Sequence, residues 1–179
     1  IKKLGLNSQL FIGQNDGTLM SLEQVQEFPV LTISSGPTNS IRGAGALSKI
    51  SNGIVIDVGG TTSDGGVLVN YFPRESTQSA QIGGVRTNFR MPDVVAVGIG
   101  GGTTIRIQKE HCQLGPDSVG YQLKEKGIAF GGNVLTISDV FIAEEQLQIA
   151  GASRSEILKK EISKVMNLPY ERILQKVKE

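Results

Sequence analysis

The sequence predicts a mixed α/β fold. Short β-branched runs at residues 30–34, 54–58, 94–99 and 103–107 alternate with segments of helical period, the pattern of strands and helices interleaved along one chain. Glycines fall in clusters between the runs, at 59–60, 65–66, 83–84, 100–102 and 131–132, as tight turns require. Residues 154–179 hold 11 charged side chains against 9 across residues 30–105. The middle therefore reads as buried sheet and the end as exposed helix.

The elements follow in order. Residues 10–12 form a short strand. Ser21 with Gln24 three residues on forms a capping box, opening a helix that Pro29 ends. Residues 30–34 read as a strand, Ser35-Gly36-Pro37 as a turn, and residues 41–50 as a helix of small residues able to pack closely on a sheet. Ile54 to Val58 is a strand, with residues 67–69 as its return and Asn70 turning the chain. The continuous apolar run at 94–99 has the look of a central strand. Residues 103–107 form the next one, and residues 117–126 read as helical. A strand at 134–137 leads to a helix at 138–148 capped by Ser138 or Asp139. Ser153 with Glu156 reads as a second capping box. The helix that follows carries Ile157, Leu158, Ile162, Val165 and Met166 at helical spacing, Pro169 interrupts it, and residues 170–177 form the last helix. We expect one domain over residues 1–152 and a helical segment over 153–179 that packs on it or extends from it.

Composition narrows the function classes. The 179 residues carry 18 Lys+Arg against 17 Asp+Glu, a net charge of +1. That balance argues against nucleic-acid and membrane-surface partners, which select a basic excess. Aromatics are 5% with no Trp, so no stacking platform for single strands is built. The single cysteine, Cys112, and single histidine, His111, exclude a disulfide framework, CxxC motifs and His-rich metal sites. A reducing, cytoplasmic setting is the expectation. The chain opens on Ile1 rather than Met, and we expect a piece of a longer protein.

The chemistry concentrates in Asp57-Val58-Gly59-Gly60-Thr61-Thr62-Ser63-Asp64, between two apolar strands. A carboxylate at the end of a buried strand calls for a partner. The glycine pair lets the backbone turn and leaves N–H groups unshielded by Cβ, so an anion can approach. Thr61, Thr62 and Ser63 add hydroxyl donors. The two aspartates are suited to holding Mg²⁺ or orienting a water. The plainer alternative is a hairpin turn rich in Gly, Thr and Asp for conformational reasons, although such a turn does not need three hydroxyl residues between two acids. Gly100-Gly101-Gly102-Thr103 fits either a phosphate or adenosine contact through bare amides or a close-packed hairpin turn. It is no dinucleotide fingerprint, because a β-branched strand follows it where a helix should open. Adjacent His111 and Cys112 point to opposite faces of a strand and read as structural. Asp139 reads as a helix cap. Arg42, Arg86 and Arg90 suit either a phosphate or carboxylate clamp or a solvated surface.

These segments together resemble the hydantoinase A/5-oxoprolinase family, within the superfamily of sugar kinases, heat-shock chaperone ATPases and actin. Ser35-Gly36-Pro37 to Gly43-Ala44 is similar to the family's SGP…GA segment, and residues 57–64 to its second DxGGTxxD loop. Residues 98–103 resemble its GxGGGS turn with Thr for Ser, residues 115–120 its GPxSxG segment, and residues 136–139 its TxTD. The order of the five motifs is the family's, over about residues 10–150. Gly65-Gly66 departs from the small apolar residues usual after the loop, and Tyr121-Gln122-Leu123 lacks the PGP that many members carry.

The resemblance implies an actin-like, ribonuclease H-like ATPase lobe. Its sheet is mixed and flanked by helices, and a C-terminal helical segment follows. The first DxGGTxTD loop of the family has no counterpart here, so the N-terminal ATPase lobe is an expected partner, with a second enzyme subunit as another. The implied cofactors are ATP and Mg²⁺. Asp57 and Asp64 would be catalytic, with Asp57 orienting the metal, and Gly59, Gly60, Thr61, Thr62 and Gly100 to Thr103 would bind the nucleotide. The implied reaction is ATP-dependent opening of a small cyclic amide. Its rivals are a related ATP-dependent carboxylase subunit and a non-catalytic scaffold that keeps the glycine turns for shape.

Overall fold

The computed structural model describes residue 5 and residues 8–77, 81–86, 91–108 and 111–179. It divides into two compact units. The first comprises Ile1–Asp57 and Asp64–Val95, and the second Val58–Ser63 and Ala96–Glu179. The hairpin tip at 58–63 thus groups with the C-terminal half of the chain. The class is mixed α/β, as the alternation of elements predicts.

In the first unit, strands β1 (Phe11–Gly13) and β2 (Leu19–Ser21) pair antiparallel. Helix α1 (Leu22–Glu27) starts at the expected capping box: Ser21 Oγ accepts from the Gln24 amide and Gln24 Oε1 from the Ser21 amide. The strand expected at 30–34 is instead a 3-10 turn over Pro29–Thr32. Pro29 presets a helical φ, and the Thr32 hydroxyl donates back to the Pro29 carbonyl at 2.8 Å. Ser35-Gly36-Pro37 is no separate turn but the opening of α2 (Ser35–Ser48). Pro37 falls in the first helical turn, where an N–H would have had no intrahelical partner.

Strands β3 (Gly53–Val58), β4 (Ser63–Val69) and β5 (Phe72–Pro73) run side by side, with β8 (Val94–Val97) also paired to β4. The β4–β5 turn places Asn70 and Tyr71 both at positive φ, the type I′ geometry that suits sheet twist. A small hairpin, β6 (Gln81–Ile82) with β7 (Val85–Arg86), lies between. Helix α2 packs on β4 through bare backbone: a Cβ on Gly45 would stand 2.4 Å from a Leu68 methyl, and one on Gly66 2.3 Å from the Ile41 terminus. The close packing expected of this small-residue helix is realised there. The sheet is less covered than its sequence suggests. Ile54 and Ile56 are 79% and 69% exposed and Val95 is 68% exposed, so β8 is not the buried central strand its composition implies. An unbroken apolar run marks a strand that needs cover on both faces, and no described residue supplies it.

In the second unit, β9 (Thr103–Gln108) pairs antiparallel with β10 (His111–Ser118). Asp117 and Ser118 end β10, so the helix expected at 117–126 starts later, as a 3-10 turn over Gly120–Gln122 that runs into α3 (Leu123–Lys126). Residues 134 and 136 make only isolated bridges in place of a strand. Ile137 already starts α4 (Ile137–Ala143), whose cap is Thr136, with Asp139 as the reciprocal member of the box. Ser153 caps nothing. Its amide donates to the Ala129 carbonyl, and α5 (Ser155–Met166) starts without a side-chain cap. Helix α6 (Tyr170–Lys178) follows Pro169 as expected. Leu158, Ile162 and Ile173 from α5 and α6 join Ile105, Leu135 and Val140 in a single buried core, so each helix packs one face on this unit. Among the described residues no helix is long and apolar enough to cross a membrane.

Candidate functional site

The tip between β3 and β4 is a tight loop closed by the Gly59 amide, which donates to the Thr62 carbonyl at 2.8 Å. Its underside rests on the triple glycine. The Gly101 amide donates to the Gly59 carbonyl at 2.9 Å and the Gly102 amide to the Gly60 carbonyl at 2.7 Å. This approach is possible only without side chains. A Cβ on Gly100 would stand 2.6 Å from the Gly59 oxygen, and one on Gly102 2.8 Å from the Gly60 oxygen, far inside contact distance. The Ser63 hydroxyl adds a bond to the Ile99 carbonyl at 2.7 Å.

The two glycine loops therefore divide the work. The amides of Gly100 to Thr103 are all engaged. Gly100 donates to the Thr103 hydroxyl at 2.8 Å, Gly101 and Gly102 to the tip, and Thr103 to the Gly100 carbonyl at 3.0 Å. Thr103 is fully buried, so its hydroxyl serves this loop. On the tip, the amides of Gly60, Thr61 and Thr62 donate to nothing among the described residues, and Thr61 and Thr62 are exposed. A Cβ on Gly60 would meet nothing within 4 Å. Open amides beside exposed hydroxyls are the donor set that anionic oxygens need.

Beside the loops opens a cavity of about 620 Å³. Gly59, Gly60 and Gly100 to Gly102 line one side, and Val58, Ile99, Leu123, Ile137, Phe141 and Leu147 form apolar walls, with Ser63, Ser138 and Gln146 as polar points. Few polar groups on apolar walls are the usual make-up of a small-molecule site. A larger cavity of about 830 Å³ lies between the ends of α4 and α5 and shares Leu147 with the first, but no glycine of either loop lines it.

Asp139 holds the wall that carries Ser138 and Phe141. Its carboxylate accepts from the Ala129 amide at 2.8 Å, the Thr136 amide at 2.8 Å and the Thr136 hydroxyl at 2.7 Å, and it is fully buried. Burial pushes its pKa above the ordinary range, and these donors oppose the shift. The N-cap role read from sequence is corrected: Thr136 is the cap, and Asp139 is the N3 member of its box.

Asp57 and Asp64 flank the tip and belong to the first unit. Asp57, at the end of β3, is exposed and Asp64 is half-buried. The buried-strand carboxylate inferred from sequence is corrected accordingly: Asp57 sits on an exposed strand end and needs no buried partner. Arg42 is occupied, donating to the Gly17 carbonyl and lying 4.5 Å over the Phe72 ring. Arg86 is exposed on β7, and Arg90 lies outside the described residues. Cys112 packs against the core while His111 is exposed, consistent with opposite faces of β10. Sequence reasoning missed the apolar walls, above all Phe141 and Leu147, because nothing local marks which residues of a helix end face a loop 40 residues away. It also assigned no role to Ser118, although the GPxSxG segment contains it.

The Hydantoinase/oxoprolinase family model matches residues 1–165. The chain belongs to that family. Among solved structures it is similar to an acetone carboxylase in its nucleotide-free form, described as carrying out ATP-dependent acetone carboxylation. The TM-score is 0.71 at 23% identity, over 95% of this chain and 26% of that one. It is also similar to an ATP-dependent caprolactamase from Pseudomonas jessenii, with a TM-score of 0.60 at 22% identity, over 80% of this chain and 23% of that one. At that identity the likeness shows a shared fold. The chain spans about a quarter of the length of each of these two proteins. No curated protein matches it.

Proposed function

We propose that this chain is one lobe of an ATP-dependent enzyme of the hydantoinase/oxoprolinase type, with the Gly60–Thr62 segment as its phosphate-holding element. The observation that carries the reading is the set of open amides at Gly60, Thr61 and Thr62 beside two exposed threonine hydroxyls and an apolar cavity of about 620 Å³. Phosphate oxygens suit the first and a nucleoside ring the second. Gly100 to Thr103 would support the tip, and Gly100 to Gly102 would wall the cavity.

The residues also fit Mg²⁺. No cluster of three or more His, Cys, Asp or Glu among the described residues could hold a metal by itself. Mg²⁺ in phosphate chemistry takes one or two carboxylates and keeps waters and phosphate oxygens for the rest; the exposed carboxylate of Asp57 at the end of β3 would be that ligand, with Asp64 supporting the loop. Bound there, the ion would supply charge neutralisation for phosphoryl transfer.

The substrate we propose is a small cyclic amide. Amide resonance makes the ring carbonyl a poor electrophile. Moving the γ-phosphoryl onto its oxygen makes the ring carbon electrophilic; water then adds at carbon, the ring C–N bond breaks with the nitrogen taking a proton, and the acyl phosphate left behind is hydrolysed by a second water to carboxylate and phosphate. The partner we propose is the remainder of a longer polypeptide carrying the other ATPase lobe, with a second enzyme subunit as another. In the whole enzyme, Asp57→Ala should abolish ATP hydrolysis, and unchanged turnover would remove Asp57 from the mechanism. The acetone carboxylase likeness, which covers 95% of the chain, favours a second reading in which an ATP-activated carbonyl is carboxylated. A product assay with and without bicarbonate separates the two, since only the second fixes labelled carbon.

A further inference from the structure

We propose that Ser118 is a positioning residue for phosphate binding, acting through the Gly60 carbonyl; the inference rests on the reading of the tip as the phosphate site. Ser118 ends β10 after a break in register. Leu114 pairs with Ile105 and Ser118 with Thr103, so β10 advances four residues while β9 advances two. The extra length bulges out and delivers Ser118 beside the glycine loops. There its hydroxyl oxygen lies 3.2 Å from the Gly60 carbonyl and 3.5 Å from the Thr61 hydroxyl, and it accepts the Gly120 amide at 3.1 Å.

The Gly60 carbonyl thus meets two donors, the Ser118 hydroxyl and the Gly102 amide at 2.7 Å. Occupying both lone pairs fixes the peptide plane between Gly60 and Thr61. A trans peptide is planar, with its C=O and N–H pointing in opposite directions. Holding the Gly60 oxygen against the second loop therefore aims the Thr61 N–H away from that loop. The Gly101 bond to the Gly59 carbonyl does the same for the Gly60 N–H. Gly101 and Gly102 act through backbone alone, so Ser118 is the side chain that sets the direction of an open amide.

The test compares the chain with Ser118→Ala and Ser118→Thr, titrated calorimetrically with Mg·ADP and with adenosine. Amide exchange at Gly102 and at Ile162 is followed without ligand. Ser118→Ala should weaken ADP by about tenfold, the size of one lost hydrogen bond, and leave adenosine unchanged. It should speed exchange at Gly102 but not at Ile162 in the core, and Ser118→Thr should restore ADP binding. If Ser118→Ala binds ADP as the unaltered chain does, or if Ser118→Thr is as weak as the alanine variant, the positioning role is wrong. If the unaltered chain binds ADP no more tightly than adenosine, the phosphate reading itself falls, and the positioning role with it.

Discussion

The amide of Gly101 donates to the carbonyl of Gly59 at 2.9 Å, joining two glycine loops far apart in sequence by backbone alone. Every contact that seats the tip is made by a glycine or a hydroxyl, and the amides of Gly60, Thr61 and Thr62 are left over from it. Close packing and anion binding are therefore successive uses of the same glycines: one loop spends its amides on the tip, and the tip keeps its own open.

Gly100→Ala and Gly60→Ala should behave oppositely. The new methyl at 100 meets backbone at 2.6 to 2.8 Å on the tip, and backbone cannot rotate aside. We expect a loss of about 2–4 kcal/mol, at or somewhat above the usual range for overpacking. The methyl at 60 meets nothing within 4 Å, so stability should stay within about 0.5 kcal/mol. Denaturant unfolding of the two variants checks the pair, and equal losses would contradict the packing described.

Asp139→Asn is nearly isosteric yet should cost about 1–3 kcal/mol. The carboxylate accepts from donors at both oxygens, and an asparagine must turn an NH₂ toward one of them. The pH dependence has a definite sign. Burial raises the native pKa above the ordinary 3.8, so the folded state holds its proton to higher pH than the unfolded one. The Asp139 contribution is fully present below the unfolded value and declines as pH rises toward the native value. The advantage of the native protein over Asp139→Asn should therefore shrink across that window, measured by unfolding at several pH values. An advantage that grows with pH would show that the hydrogen bonds outweigh burial.

Much of this was legible in the sequence, for reasons that are local. The Ser21 box, the strand at 103–108, the last two helices and the tip motif are each specified by residues within one or two turns of each other. Failures came where several local options competed. Thr136, Ser138 and Asp139 all suit a helix start, and the burial of Thr136 and Asp139 against Ala129 decides among them. Residues 30–34 have strand composition, but Pro29 and the Thr32 hydroxyl close a 3-10 turn first. The engagement of the triple glycine with the tip is set by tertiary contact, and bare glycines in sequence do not say which backbone will approach them.

Tyr170→Phe tests the join between α4 and α6. The phenol donates to Glu144 at 3.1 Å, and Lys159 lies 3.5 Å from the same oxygen. Burial, and then the Glu144 carboxylate, push the phenol pKa up, so it stays protonated at any pH where the protein is handled. Losing the bond should lower stability by about 1 kcal/mol, read as a shift in unfolding midpoint. A variant as stable as the parent would show the bond to be solvent-replaceable.

The most direct test of the central claim is a calorimetric titration of this chain with Mg·ADP beside its Gly60→Ala variant. A methyl on Gly60 would meet nothing within 4 Å in the fold, so it can interfere only with what approaches the tip. Binding by the parent, lost in a variant that melts at the same temperature, is the predicted result. Equal binding by the two proteins would contradict phosphate contact at Gly60 to Thr62.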